Sequence, residues 1–149
     1  MLATVAHKEG RQILRDLGLG GWVLGFDRAK RRAGQCNYTR KTITLSEYFV
    51  RMNEWDEVRN TILHEAAHAL AGSGAGHGYL WAKQCRLVGI EPKRCYDSEA
   101  VNMPQGNVVV SCVNHGEVGR QHRMPKANAR SYMVCRKCRT RLTYRKAYA

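Results

Sequence analysis

Apolar side chains recur at helical spacing along the first seventeen residues. Val5, Ile13, Leu14 and Leu17 fall roughly on one face, and Gly18 follows as a stop, so the spacing predicts a helix over residues 4–17. After Gly20 and Gly21 the period changes to two. Trp22, Leu24 and Phe26 lie on one side of a half-buried strand over 22–26. The basic stretch 27–34 reads as a hairpin connection, and residues 35–39 and 42–45 read as two further strands joined by Arg40 and Lys41. Together these predict a small antiparallel meander. Ser46 suits the N-cap of a short helical segment, and Asn53 or Asp56 suits that of the next helix. That helix is expected over about 56–71, with Val58, Ile62, Ala66 and Ala69 turned to the core and Gly72 at its end. The glycines of 72–76 make the next loop flexible by composition. Another helix is expected over about 78–88, with Leu80, Trp81, Leu87 and Val88 apolar; Gly89 ends it and Pro92 prevents its resumption. A strand over 108–111 then leads into Cys112.

The fold class this implies is α+β, helices with a small antiparallel sheet. The expected organisation is a main domain over 1–95, a linker over 96–107 containing Pro104 and Gly106, and a small module over 108–149. A chain of 149 residues with 44% apolar content can build one core with a small appendage. No apolar run approaches the roughly 18 residues of a membrane span, and the N-terminus, broken by His7, Lys8, Glu9 and Arg11, lacks the apolar stretch of a signal peptide. The chain therefore reads as a soluble, cytoplasmic monomer without membrane contact.

Charge changes the picture. The formal net charge is +13, and the last thirty residues carry Arg120, Arg123, Lys126, Arg130, Arg136, Lys137, Arg139, Arg141, Arg145 and Lys146 with no acidic residue. A second cluster is Arg28, Lys30, Arg31 and Arg32, with Arg40 and Lys41 close behind. A solvated basic surface is the plain reading. Such concentration favours a polyanionic partner, nucleic acid before acidic lipid.

The main chemistry lies in His64-Glu65-Ala66-Ala67-His68. Two histidines four apart on a helix share one face and can reach one Zn²⁺. Glu65 can lean over the metal without ligating it and act as the proton shuttle of a peptidase. Two surface histidines on a helix would be the bland alternative, but Ala66, Ala67, Ala69 and Leu70 make this helix apolar, and buried histidines need partners. A catalytic zinc takes three protein ligands. His77, nine residues past His68 and beyond the glycines, is the best placed third. The rivals are Glu91 and Glu99. A metzincin would place its third histidine at position 74, which is glycine.

These residues resemble the SprT-like metallopeptidases, whose eukaryotic members include Spartan. The resemblance rests on Thr61-Ile-Leu-His-Glu-Ala-Ala-His-Ala-Leu70, then His77-Gly78-x-x-Trp81, with Val88-Gly89 closing the next helix, and extends over about residues 5–145. It implies a zincin-like minimal metalloprotease domain, with His64, His68 and His77 as zinc ligands and Glu65 as general base. It also implies proteolysis, in Spartan directed at proteins crosslinked to DNA. Tyr79 and Tyr96 are candidates for stabilising the oxyanion.

The tail holds Cys112-x-x-His115 and Cys135-x-x-Cys138. Two short ligand pairs of this kind complete a closed tetrahedral zinc site. His122 competes with His115, but the two-residue spacer favours His115. A thioredoxin-type reading of Cys135 and Cys138 lacks its βαβ context, and a module of some 40 residues with few large apolar groups would hardly fold without metal. Cys36, Cys85 and Cys95 stand singly and read as small hydrophobes. The tail looks like a zinc ribbon, and prokaryotic SprT proteins carry a similar one. Its interleaved Tyr132, Tyr144 and Tyr148 fit ribbon core better than base stacking. The expectation is therefore a zinc-dependent endopeptidase with one catalytic and one structural Zn²⁺, acting on protein substrates and recruited by sequence-independent DNA binding, nucleoid-associated in a prokaryotic host. The alternative is a nucleic-acid-binding or regulatory protein on a zincin scaffold without relevant proteolysis.

Overall fold

The computed structural model of the chain describes residues 1–94 and 101–147. They fall into two compact units, Met1–Pro104 and Gln105–Ala149. Cys95, Tyr96, Glu99 and Tyr148, with the 96–100 part of the expected linker, lie outside the described residues.

The first unit opens with α1, Ala3–Asp16. Its buried stripe is Ala6, Gly10 and Leu14, with Ile13 and Leu17 half-buried against the same core; of the expected face only Val5 is exposed. The bare Cα of Gly10 lets α1 approach so closely that a methyl group there would collide with Leu24 and Ile62. Three strands follow: β1 Val23–Asp27, β2 Gly34–Asn37 and β3 Thr42–Ser46.

The sheet order is β1-β3-β2. β2 and β3 form the expected hairpin, but β1 pairs with β3 in parallel, so the sheet is mixed and not an antiparallel meander. Residues 28–33 are not a hairpin turn. They cross the end of β3 and are pinned there: Asp27 Oδ1 accepts from the Ala29 amide at 2.9 Å, Arg32 donates to Asp27 Oδ2 at 2.7 Å, the Ser46 hydroxyl donates to Ala29 O at 2.6 Å, and the Ser46 amide donates to Ala33 O at 2.7 Å. This crossing separates the basic cluster of the first unit. Arg28, Lys30 and Arg31 stand at one end of the sheet, and Arg40 and Lys41 at the β2–β3 turn.

Ser46 also caps α2, Glu47–Met52, by accepting from the Phe49 amide. The long helix α3, Trp55–Ala71, carries Val58, Ile62 and Ala66 into the core with Leu14, Leu24, Ile43, Leu45 and Phe49. Asn53 does not cap it. Its buried amide donates to Phe49 O at 2.8 Å and Asn102 O at 2.7 Å and accepts from the Asn102 amide at 2.8 Å. An amide that both donates and accepts can pair fully with a passing strand of backbone, which a helix end would satisfy only in part. This clamp holds Val101 and Met103 on the core. Helix α4, Tyr79–Leu87, buries Trp81 and Cys85 against Ala67 of α3, while Leu80 and Leu87 face outward.

In the second unit, β4 Val108–Cys112 is the central strand between β5 Gly116–Gln121 and β6 Thr143–Lys146, both antiparallel to it. A short helix, α5 Ala127–Arg130, lies between the outer strands in sequence. Among the described residues its buried side chains are few: Val108, Val109, Cys112 and Cys135.

Candidate active site and second metal centre

Helix α3 places His64 and His68 one turn apart, half-buried, with Glu65 buried beside them. The chain then leaves the helix at Gly72 (φ 90°) and turns again at Gly76 (φ 52°), left-handed conformations that suit glycine. This brings His77 back over the helix. His77 Nε2 lies 3.2 Å from His68 Nε2 and 3.4 Å from His64 Nε2. Ligands held at 2.0–2.1 Å around a tetrahedral ion are about 3.3–3.4 Å apart. Three imidazole nitrogens at that spacing, with no fourth side-chain donor in the cluster among the described residues, fit a zinc ion with an open position. Neither Glu65 nor Glu91 belongs to the cluster; Glu91 is exposed and pairs with Lys93 at 3.2 Å.

The electrostatics suit a cation. Burial, and then the neighbouring imidazoles, push His64 down to about 4. Burial and His77 hold His68 at about 4 as well. Partial burial and the Arg94 guanidinium lower His77. All three are therefore neutral, the ligating form, at neutral pH. Burial pushes the Glu65 carboxyl up to about 7, against the Arg32 guanidinium and the Cys36 amide, which pull it down. Burial and then the Glu65 charge raise Cys36 to about 12, so it stands as a neutral thiol.

Trp81 forms one wall. Its ring centroid lies 5.0, 5.4 and 4.6 Å from those of His64, His68 and His77. Arg32, Gly34 and Cys36, which surround Glu65, were not singled out for this site from the sequence. They lie about thirty residues away on a strand and its lead-in, and no local pattern announces that contact. Tyr79 is 76% exposed and has no polar contact among those described.

In the second unit, Cys112, His115, Cys135 and Cys138 bring four ligand atoms within 4.8 Å of one another. Cys112 Sγ is 3.5 Å from both His115 Nδ1 and Cys138 Sγ, and Cys135 Sγ is 3.7 Å from His115 Nδ1. His122 is not in the group. Each pair sits on a tight turn: the His115 amide donates to Cys112 O, and the Arg139 amide to Cys135 O. Four soft donors without an open position form a closed site, consistent with zinc. Hydrogen bonding with the Thr140 side chain and amide, then with the Asn114 side chain, brings the Cys138 thiol down to about 5, whereas desolvation raises Cys112.

The ten tail cations are all exposed, with Arg120 held by Glu117 at 2.7 Å. Tyr132 is 83% exposed and so is not ribbon core, while Tyr144 is half-buried with its hydroxyl 2.8 Å from Met133 Sδ.

A mixed α+β unit in which three imidazoles converge beside a buried carboxylate is a metallopeptidase-like domain. The chain belongs to the SprT-like family, whose model matches residues 8–99, a span that includes all three histidines and Glu65 and ends before the cysteine cluster. No curated protein matches the chain.

Proposed function

We propose that this protein is a zinc-dependent endopeptidase of zincin-like architecture, acting as a monomer on proteins bound or crosslinked to DNA, with residues 108–149 forming a zinc-ribbon-like module that engages nucleic acid. The observation that carries the peptidase reading is the meeting of three Nε2 atoms at 3.2 and 3.4 Å next to a buried, non-ligating Glu65. Held by His64, His68 and His77, a zinc ion would polarise a peptide carbonyl and acidify a water molecule. Glu65 takes the proton of the attacking water on its carboxylate and delivers it to the nitrogen of the leaving amine. A carboxyl raised by burial to about 7 is suited to both halves of that exchange near neutral pH, although a bound cation draws it lower. Retention of such a group argues against a purely regulatory zincin scaffold, because a structural ion has no use for a base.

The nucleic-acid reading is supported by the ten exposed cations of the tail and by exposed Tyr132, which is free to stack on an unpaired base. Tethering enzyme and substrate to one DNA raises their mutual concentration, to roughly the millimolar range for short spans. The test is cleavage of a DNA-binding protein by the full chain, with and without DNA, across a salt series. DNA should accelerate cleavage, and salt should remove the acceleration, since log affinity falls by about 0.7–0.9 per neutralised phosphate for each unit of log salt. Equal rates with and without DNA at low salt would remove DNA from the proposal.

A further inference from the structure

Strand β2 approaches the Glu65 carboxylate with backbone. A Cβ placed on Gly34 would lie 3.0 Å from Glu65 Cγ, 3.1 Å from Glu65 Oε1 and 3.0 Å from Thr61 Cγ2. Gly34 is not among the residues with positive φ, so its conformation does not demand glycine. Its contribution is room. Two residues along the same face of the strand, the Cys36 amide donates to the carboxylate.

The two neighbours of that missing side chain differ in their freedom to yield. Thr61 is buried, β-branched and tied through Oγ1 to Glu57 O at 3.0 Å, so its methyl group is fixed. Glu65 is longer and ends in a group that can swing. Any side chain at position 34 would therefore displace the carboxylate first. We propose that Gly34 is a positioning residue for Glu65: the bare start of β2 sets where the carboxylate stands relative to the histidines. This rests on the peptidase reading above.

The test uses Gly34→Ala in the full, zinc-loaded chain. Gly25→Ala serves as control, because a Cβ there meets Thr44 Cγ2 at an ordinary 3.7 Å. A carboxylate shifted by part of an ångström should lower kcat on a flexible peptide by roughly three- to tenfold, with KM and zinc content unchanged. Gly25→Ala should match the wild type. Adding Thr61→Ser to Gly34→Ala removes the fixed methyl, keeps the hydroxyl bond to Glu57 O, and lets the new side chain settle away from Glu65; part of kcat should return. Crystal structures of the zinc-loaded wild type and Gly34→Ala should show the carboxylate displaced. An unmoved carboxylate overturns the inference, as does a kcat loss that tracks zinc loss and is indifferent to Thr61→Ser. If the wild type cleaves no peptide, the peptidase reading fails, while the crystallographic comparison still decides whether Gly34 positions Glu65.

Discussion

His77 is the side chain on which the proposed metal site most depends, because of the three histidines it alone comes from outside α3. Its place was legible in the sequence: a glycine-rich loop of short length can return a histidine to the helix it has just left, and Gly72 and Gly76 make the left-handed turns that do so. His77→Ala should lower zinc affinity by more than the roughly 10–100-fold typical of losing a group that only orients a ligand. Glu91→Ala should leave it unchanged. A competition titration against a chromophoric chelator reads both, and the reverse pattern would reassign the third ligand. What surrounds Glu65 was not legible. Arg32, Gly34 and Cys36 reach it through the packing of β2 on α3, a contact between elements that no spacing along one element encodes.

The elements themselves were largely readable, since α1, α3, α4 and the β2–β3 hairpin follow from periods of 3.6 and 2. Pairing was not. A six-residue connection between two strands looks like a hairpin in sequence, yet here residues 28–33 cross β3 and leave β1 parallel to it. Asp27 holds that crossing. Burial works against its charge, but the Ala29 amide and the Arg32 guanidinium outweigh burial and keep the carboxyl below its ordinary 3.8. Asp27→Asn should cost about 1 kcal/mol at neutral pH, a modest value because the Arg32 pair is partly exposed. A depressed carboxyl contributes fully above its unfolded value and loses that contribution as pH falls through its lower folded value. The stability gap between wild type and variant in denaturant titrations should therefore stay constant down to about pH 5 and close only below 3.8. A gap that closes between pH 7 and 5 would mean the carboxylate is not held this way.

Taken as a whole, the chain joins a well-cored unit to one that buries, among the described residues, four apolar or cysteine side chains. The composition of the tail already indicated this: three cysteines and a histidine in two short ligand pairs, and few large apolar residues. Whereas the first unit has a continuous core around α3, we expect the second to depend on an ion held by Cys112, His115, Cys135 and Cys138. Chelation should therefore abolish amide-exchange protection in β4, β5 and β6 while α1, α3 and β3 keep theirs. Loss of protection in both units together would mean that metal at the histidine cluster also holds the first core. Protection retained throughout would mean that the second unit folds without metal.

The claim that Glu65 moves the proton in a metal-dependent peptide cleavage is tested most directly by Glu65→Gln. The amide keeps the size and much of the hydrogen bonding of the carboxylate but cannot accept a proton. With zinc content and thermal stability matched to the wild type, the rate on a flexible peptide should fall by about 10² or more, the magnitude of a lost general base. Equal rates from the two proteins at equal zinc content would contradict it.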